Sequence, residues 1–97
     1  MTTAKGGWTV FCSESVCGVM ESMPSMGRFF IEFFCDFALE AGAAVDSGHA
    51  PPGTRLKRKE DGSAAYSLLV ESSGIFIEYV VMREIKEFFV TKMLVRS

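Results

Sequence analysis

Residues 64–82 of the chain are AAYSLLVESSGIFIEYVVM, two apolar segments separated by a short polar one. Over 64–71 the side chains alternate in character, as expected for a strand with one buried face. Residues 72–74 suit a three-residue turn with Gly74 in the left-handed conformation. The apolar segment Ile75–Met82 then predicts a returning strand. This stretch therefore predicts a β-hairpin within a mostly antiparallel sheet.

Further strands are predicted on both sides of this hairpin. Residues 8–13 alternate in the same way, and Glu87–Val95 provides a closing strand. Residues 43–47 are predicted to form a short strand after the main helix. Segment 14–24 is predicted to be a loop or a short turn. Segment 48–53 is predicted to be an irregular loop, because it contains Pro51 and Pro52 between two glycines.

Basic side chains cluster in one segment, 54–60, as Arg55, Lys57, Arg58 and Lys59. A strand at the edge of a sheet is protected from pairing by such charges, and an anion site is the alternative interpretation. Asp61-Gly62, which follows, is a strong signal for a hairpin turn.

The strongest helix signal lies between the first strand and the hairpin. Apolar side chains recur there at helical spacing, as Met26, Phe29, Phe30, Phe33, Phe34, Phe37, Ala38 and Ala41. Charged side chains lie four apart on the opposite face, as Arg28, Glu32, Asp36 and Glu40. We expect the Phe-rich face to pack on the sheet. Ser22 or Ser25 is predicted to cap the start of the helix, and Gly42 to end it.

These elements indicate the α+β class, with one mostly antiparallel sheet and one main helix packed on one face. The 97 residues suit a single domain. Because 48% of them are hydrophobic, a small body of this size is expected to leave apolar surface for a partner to cover. We therefore predict a homo-oligomer.

Charge and composition weigh against several functional classes. Ten Lys and Arg against twelve Asp and Glu give a net charge of −2, which does not favour a nucleic-acid partner. Glu32 and Asp36 interrupt the longest apolar run, 29–37, so no membrane span is expected. The chain has an odd number of cysteines and no secretion signal, which indicates reduced thiols in the cytoplasm; they are Cys12, Cys17 and Cys35.

Few residues are candidates for chemistry. His49, the single histidine, cannot by itself indicate a catalytic triad, and the sequence has neither metal-ligand spacing nor a Gly-rich phosphate loop. The dipeptide Glu71-Ser72 stands out, because it ends an apolar strand and enters a tight turn.

This Glu-Ser turn resembles the self-processing site of S-adenosylmethionine decarboxylases. Other features follow in an order similar to that of the family. They are an N-terminal strand, a helix ending Ala41-Gly42-Ala43, a short strand, a loop with His49, and the closing strand Phe88-Phe89-Val90-Thr91-Lys92. The likeness covers roughly residues 8–93 and implies the sandwich fold of the decarboxylases.

The resemblance implies roles for five residues. The Ser72 hydroxyl would attack the carbonyl of Glu71, and Ser72 would become a pyruvoyl group that serves as the electron sink for decarboxylation. Lys92 stands where the family has its catalytic Cys. Tyr79 and His49 are implied in binding the adenine, although an aromatic side chain on a strand, such as Tyr79, is equally expected in a core or an interface. Apart from the resemblance, a sulfonium needs a carboxylate or an aromatic face nearby, and Glu71, Glu78 and Tyr79 are available for it. The implied substrate is S-adenosylmethionine, as in polyamine biosynthesis.

The sequence departs from the family at two positions, with Ile77 in place of the processing His and Lys92 in place of the catalytic Cys. We therefore predict a single uncleaved polypeptide that retains S-adenosylmethionine binding. It would be a divergent enzyme or a noncatalytic paralogue that pairs with an active partner.

Two alternatives remain open at this point. One is a pyruvoyl-independent lyase with Glu71 or Glu78 at a subunit interface, and the other is a noncatalytic oligomeric binding module. Convergence of the candidate residues in one cleft would favour chemistry, whereas their dispersal would favour a binding module.

Overall fold

The computed structural model describes residues 7–56 and 63–96, together with the backbone of Thr2 and Thr3. It has an α+β fold in which helices cover one face of a mixed sheet. The strands are β1 (Thr2–Thr3), β2 (Thr9–Cys12), β3 (Thr54–Arg55), β4 (Ala64–Val70), β5 (Ile75–Met82) and β6 (Glu87–Val95). The helices are α1 (Glu14–Glu21) and α2 (Gly27–Asp46), with short 3-10 turns at Pro24–Met26 and Arg83–Ile85.

The sheet order is β1-β2-β6-β5-β4-β3. Strands β2 and β6 are parallel, and all other neighbours are antiparallel. The predicted hairpin is confirmed, because β4 and β5 pair from Ala64↔Val81 to Val70↔Ile75. Gly74 has the left-handed conformation that this turn needs, with φ of 71°. The β5–β6 register shifts between Glu78 and Tyr79, and Thr91 is the extra residue of the bulge.

The core lies between α2 and one face of the sheet. The predicted Phe-rich face of α2 supplies Phe30, Phe34 and Phe37 to it. The sheet supplies its fully buried residues, which include Ile75, Ile77, Tyr79, Phe88 and Val90. Trp8 closes the core beside β2, with its ring stacked on Phe88 at 4.5 Å.

The prediction of a loop over 14–24 is wrong, because most of this segment is helical. Helix α1 begins after Ser13, whose side-chain oxygen accepts a hydrogen bond from the Val16 amide at 3.3 Å. Val16 is fully buried in the core and anchors the short helix. Tertiary packing therefore stabilises a segment whose own periodicity is weak.

The end of α2 also differs from the prediction. Residues 43–46 continue the helix instead of forming a strand, because Ala41 and Val45 extend its buried face. Gly42 lies within the helix, and the chain turns only at Gly48, where φ is 79°. The start of α2 has no side-chain cap, so neither Ser22 nor Ser25 has the predicted capping role.

Of the predicted basic strand 54–60, the structure describes Thr54–Arg55 as an edge strand paired with β4. Lys57, Arg58, Lys59 and the Asp61-Gly62 turn lie outside the described residues.

Candidate ligand groove

Ser72 lies at the mouth of a groove between the β4–β5 turn and α2. Its neighbour Ser73 donates its hydroxyl to the Val70 carbonyl at 3.2 Å, and the Gly74 amide donates to the same carbonyl at 2.8 Å. These bonds hold the turn against the end of β4, where Leu68 and Val70 form the groove wall. The cavity has a volume of about 340 Å³, within the range of small-ligand sites.

Helix α2 supplies the other wall, with two side-chain types in parallel rows. The aromatic row is Phe29, Phe33 and Phe37, and the acidic row is Glu32, Asp36 and Glu40. Because side chains four residues apart follow one another along a helix face, each row runs along the groove. We refer to this cavity as the acidic groove. It combines flat aromatic surface with negative charge.

The acidic row carries charge that the chain only partly balances. Arg28 is 3.8 Å from Glu32, but both side chains are largely exposed, so this pair contributes little. Asp36 and Glu40 make no ion pair within the described part of the chain. Like charges four residues apart destabilise a helix. A bound cation would relieve this repulsion.

Glu71 is exposed at the turn, beside Ser72. Glu78 and Lys92 lie elsewhere, on the face of the sheet that points away from α2. They are directly opposite each other in the β5–β6 register. The structure therefore does not bring Lys92 to Ser72.

Tyr79 is fully buried in the core. Its ring stacks on Tyr66 at 5.7 Å and meets Phe37 edge-on at 4.8 Å, and its hydroxyl donates to the Pro52 carbonyl. Burial raises the pKa of this phenol above its usual range. The core residues around the ring leave no face open to an adenine.

His49 lines a separate cavity at the other end of α2. It lies there with Arg55 and Arg83 and with the apolar side chains of Val45 and Val81, around a volume of about 420 Å³. This cavity and the acidic groove both border β4, but they have opposite charge.

The surroundings of Ser72 do not fit the formation of a pyruvoyl group. Ile77, where the resemblance to the decarboxylases would place the processing His, is fully buried on the core side of β5 and has no group that transfers a proton. Lys92 is on the opposite face of the sheet. Neither Ile77 nor Lys92 can therefore assist an acyl shift at Ser72.

The acidic groove was not identified from the sequence. The helix periodicity divided α2 into a core face and a solvated face, and the groove lies along the boundary between them. The available signal was the repetition of Phe and Asp or Glu in adjacent rows four residues apart. This repetition indicates a groove only once Ser72 and Ser73 are known to lie opposite the two rows of α2.

Neither the protein-family models, nor the curated proteins, nor the solved structures contain a match to the chain. Within residues 7–56 and 63–96, no helix is both long and apolar enough to cross a membrane. The same residues contain no group of His, Cys, Asp and Glu side chains arranged to hold a metal ion.

Proposed function

We propose that the chain is a noncatalytic binding protein for S-adenosylmethionine, which it holds in the acidic groove without cleaving itself. The observation that carries the proposal is the pairing of an aromatic row with an acidic row along one cavity. A sulfonium or ammonium group is attracted both by aromatic faces and by carboxylates. The adenine of the same ligand would lie against the exposed Phe29 ring.

The choice of S-adenosylmethionine among organic cations rests on the resemblance of the Glu71-Ser72 turn to the decarboxylases. The proposal includes a divergent relationship to that family and its sandwich fold. Binding without chemistry is favoured because the candidate residues are dispersed. Ser72 borders the groove, Lys92 and Glu78 are on the other sheet face, and Tyr79 is in the core.

Calorimetry with two matched ligands tests the cation requirement. S-adenosylhomocysteine has the same adenosine and amino acid but lacks the positive sulfonium. We expect S-adenosylmethionine to bind at least about tenfold more tightly, a difference of about 1.4 kcal/mol. Equal affinities would contradict recognition of the sulfonium, and no binding of either ligand would refute the proposed function.

Variants locate the site. Phe29→Leu removes an aromatic face that is 38% exposed and is expected to weaken S-adenosylmethionine binding by about threefold to thirtyfold. Asp36→Asn is expected to weaken it similarly while affecting S-adenosylhomocysteine less. Glu84→Gln, an exposed carboxylate outside the groove, is the control and should leave both affinities unchanged.

A further inference from the structure

The sheet face opposite α2 is apolar and is covered by no described helix. Residues alternate along each strand, so the residues between the core positions point to this side. We call it the outer face. Val80 and Ala65 belong to it, and both are buried although neither is part of the core cluster. Leu69 and Leu94 lie on it with 47% and 55% of their surface exposed.

The strand register arranges the outer face in rows across the sheet. One row is apolar and spans four strands, as Phe11, Phe89, Val80 and Ala65. A second apolar row is Leu94, Phe76 and Leu69. Between them lies a polar row of Lys92, Glu78 and Ser67. A charged pair thus separates two apolar bands.

Glu78 and Lys92 are neighbours in this register, yet they form no ion pair with each other or with any other described group. Opposite charges across a strand pair usually interact directly. Here each keeps its charge available to a group approaching from above the sheet.

We propose that the outer face is the interface of a homodimer, in which two sheets pack face to face about a two-fold axis. The axis runs parallel to the strands, between β5 and β6. Under this operation each row of one copy lies over the same row of the other. Strand β5 then lies over β6 of the other copy, and β4 lies over β2. Glu78 of one copy then faces Lys92 of the other, and this contact occurs twice.

The same operation matches the apolar rows by size. Phe11 of one copy lies over Ala65 of the other, and Phe89 lies over Val80, so a large side chain meets a smaller one throughout that row. Interfaces with large and small side chains interleaved reach the packing density of protein interiors. Aligned packing of two sheets is a common arrangement.

The flat area of the outer face approaches what a specific dimer needs, and the side chains that project from it add to that area. Strands β2, β6, β5 and β4 have 4, 9, 8 and 7 residues. At about 4.8 Å between strands and about 3.3 Å per residue, they give a flat area of about 440 Å² before side-chain relief is counted. Specific interfaces begin near about 600 Å² per partner. The acidic groove is on the other side of the sheet, so this proposal does not depend on the proposed function.

Charge reversal tests the dimer by sedimentation velocity at micromolar concentration. The unaltered chain is expected to sediment as a dimer. Lys92→Glu and Glu78→Lys each place like charges opposite each other twice, and each is expected to weaken association at least tenfold. The control, Glu84→Lys, makes the same charge change as Glu78→Lys but outside the outer face, and is expected to leave the dimer intact.

Mixing the two reversed chains separates a contact between copies from one within a chain. In a heterodimer of Lys92→Glu with Glu78→Lys, every facing pair is again of opposite charge, so dimerisation is expected to return on mixing. Circular dichroism of each single variant checks that it is folded. The double variant Glu78→Lys/Lys92→Glu restores opposite charges both within each chain and between the two copies, and it is expected to dimerise alone.

Three results would overturn the proposal: a monomeric unaltered chain, single variants that dimerise as well as the control, or no recovery on mixing.

Discussion

Gly42 sets how closely α2 approaches the sheet. A Cβ atom at this position would lie 2.6 Å from Cδ1 of Trp8 and 2.7 Å from Cγ. The Trp8 ring cannot move away easily, because it is buried and stacked on Phe88. The glycine is therefore required for space and not for an unusual backbone conformation.

Gly42→Ala is expected to lower the free energy of unfolding by about 1–3 kcal/mol, since one added methyl overpacks this contact. Gly18→Ala makes the same change within α1, where nothing lies within 4 Å of the new Cβ. There the alanine is expected to stabilise the chain by about 0.5–1 kcal/mol through helix propensity. Urea unfolding measures both. Changes of the same sign would contradict the tight Trp8 contact.

Cys12 is predicted to be a slow nucleophile. Burial, reinforced by the neighbouring Cys17, raises the pKa of the Cys12 thiol to about 11. At pH 8 the thiolate fraction is then about 100-fold lower than in the unfolded chain. Because a more basic thiolate is intrinsically the better nucleophile, alkylation by iodoacetamide should be slower by about tenfold. The rate should rise with pH up to about 11.

Peptide mass spectrometry after timed alkylation measures this rate at Cys12. The urea-unfolded chain is the control, since unfolding removes the burial. Equal Cys12 rates in the folded and unfolded chains would show that the thiol is not shielded.

Ser13 is the residue that starts α1. Ser13→Ala removes the side-chain acceptor of the Val16 amide and is expected to cost about 0.5–2 kcal/mol of stability. Ser25→Ala is the matched control, because Ser25 is exposed and caps no helix. It should change stability by less than about 0.5 kcal/mol. Thermal or urea unfolding that shows equal effects would contradict the capping role of Ser13.

The elements differ in how well local sequence predicted them. The hairpin of β4 and β5 was predicted closely, because strand alternation and the turn glycine indicate the same structure. Helix α1 was missed because it is short, contains Gly18 and has Val16 as its one buried residue. Such a helix forms only when the core is present to receive that side chain.

The whole chain is expected to remain one polypeptide. Ser72 has no processing histidine beside it, and Ile77 at that position is buried and apolar. Intact-protein mass spectrometry of the purified chain should therefore find a single species of 10.7 kDa. Two fragments separated between Glu71 and Ser72, the second starting with a pyruvoyl group, would show instead that the chain processes itself.

At the scale of the molecule, the two proposed roles, ligand binding and dimerisation, lie on opposite faces of the sheet. Helix α2 and the turn form the acidic groove on one face, and the rows around Glu78 and Lys92 form the outer face on the other. Glu78, considered as a ligand or lyase residue from the sequence, would lie in the dimer interface opposite Lys92.

The α+β class, the strands β2, β4, β5 and β6 as elements and the Phe-rich core face of α2 were determined by the sequence, because each depends on a local periodicity. Tertiary structure alone decided the parallel pairing of β2 with β6, the continuation of α2 through Gly42 and the burial of Tyr79. It also decided that Ser72 lies opposite the acidic row of α2 while Lys92 lies across the sheet. These features join residues that are distant along the chain, and they depend on how the helix and sheet surfaces pack.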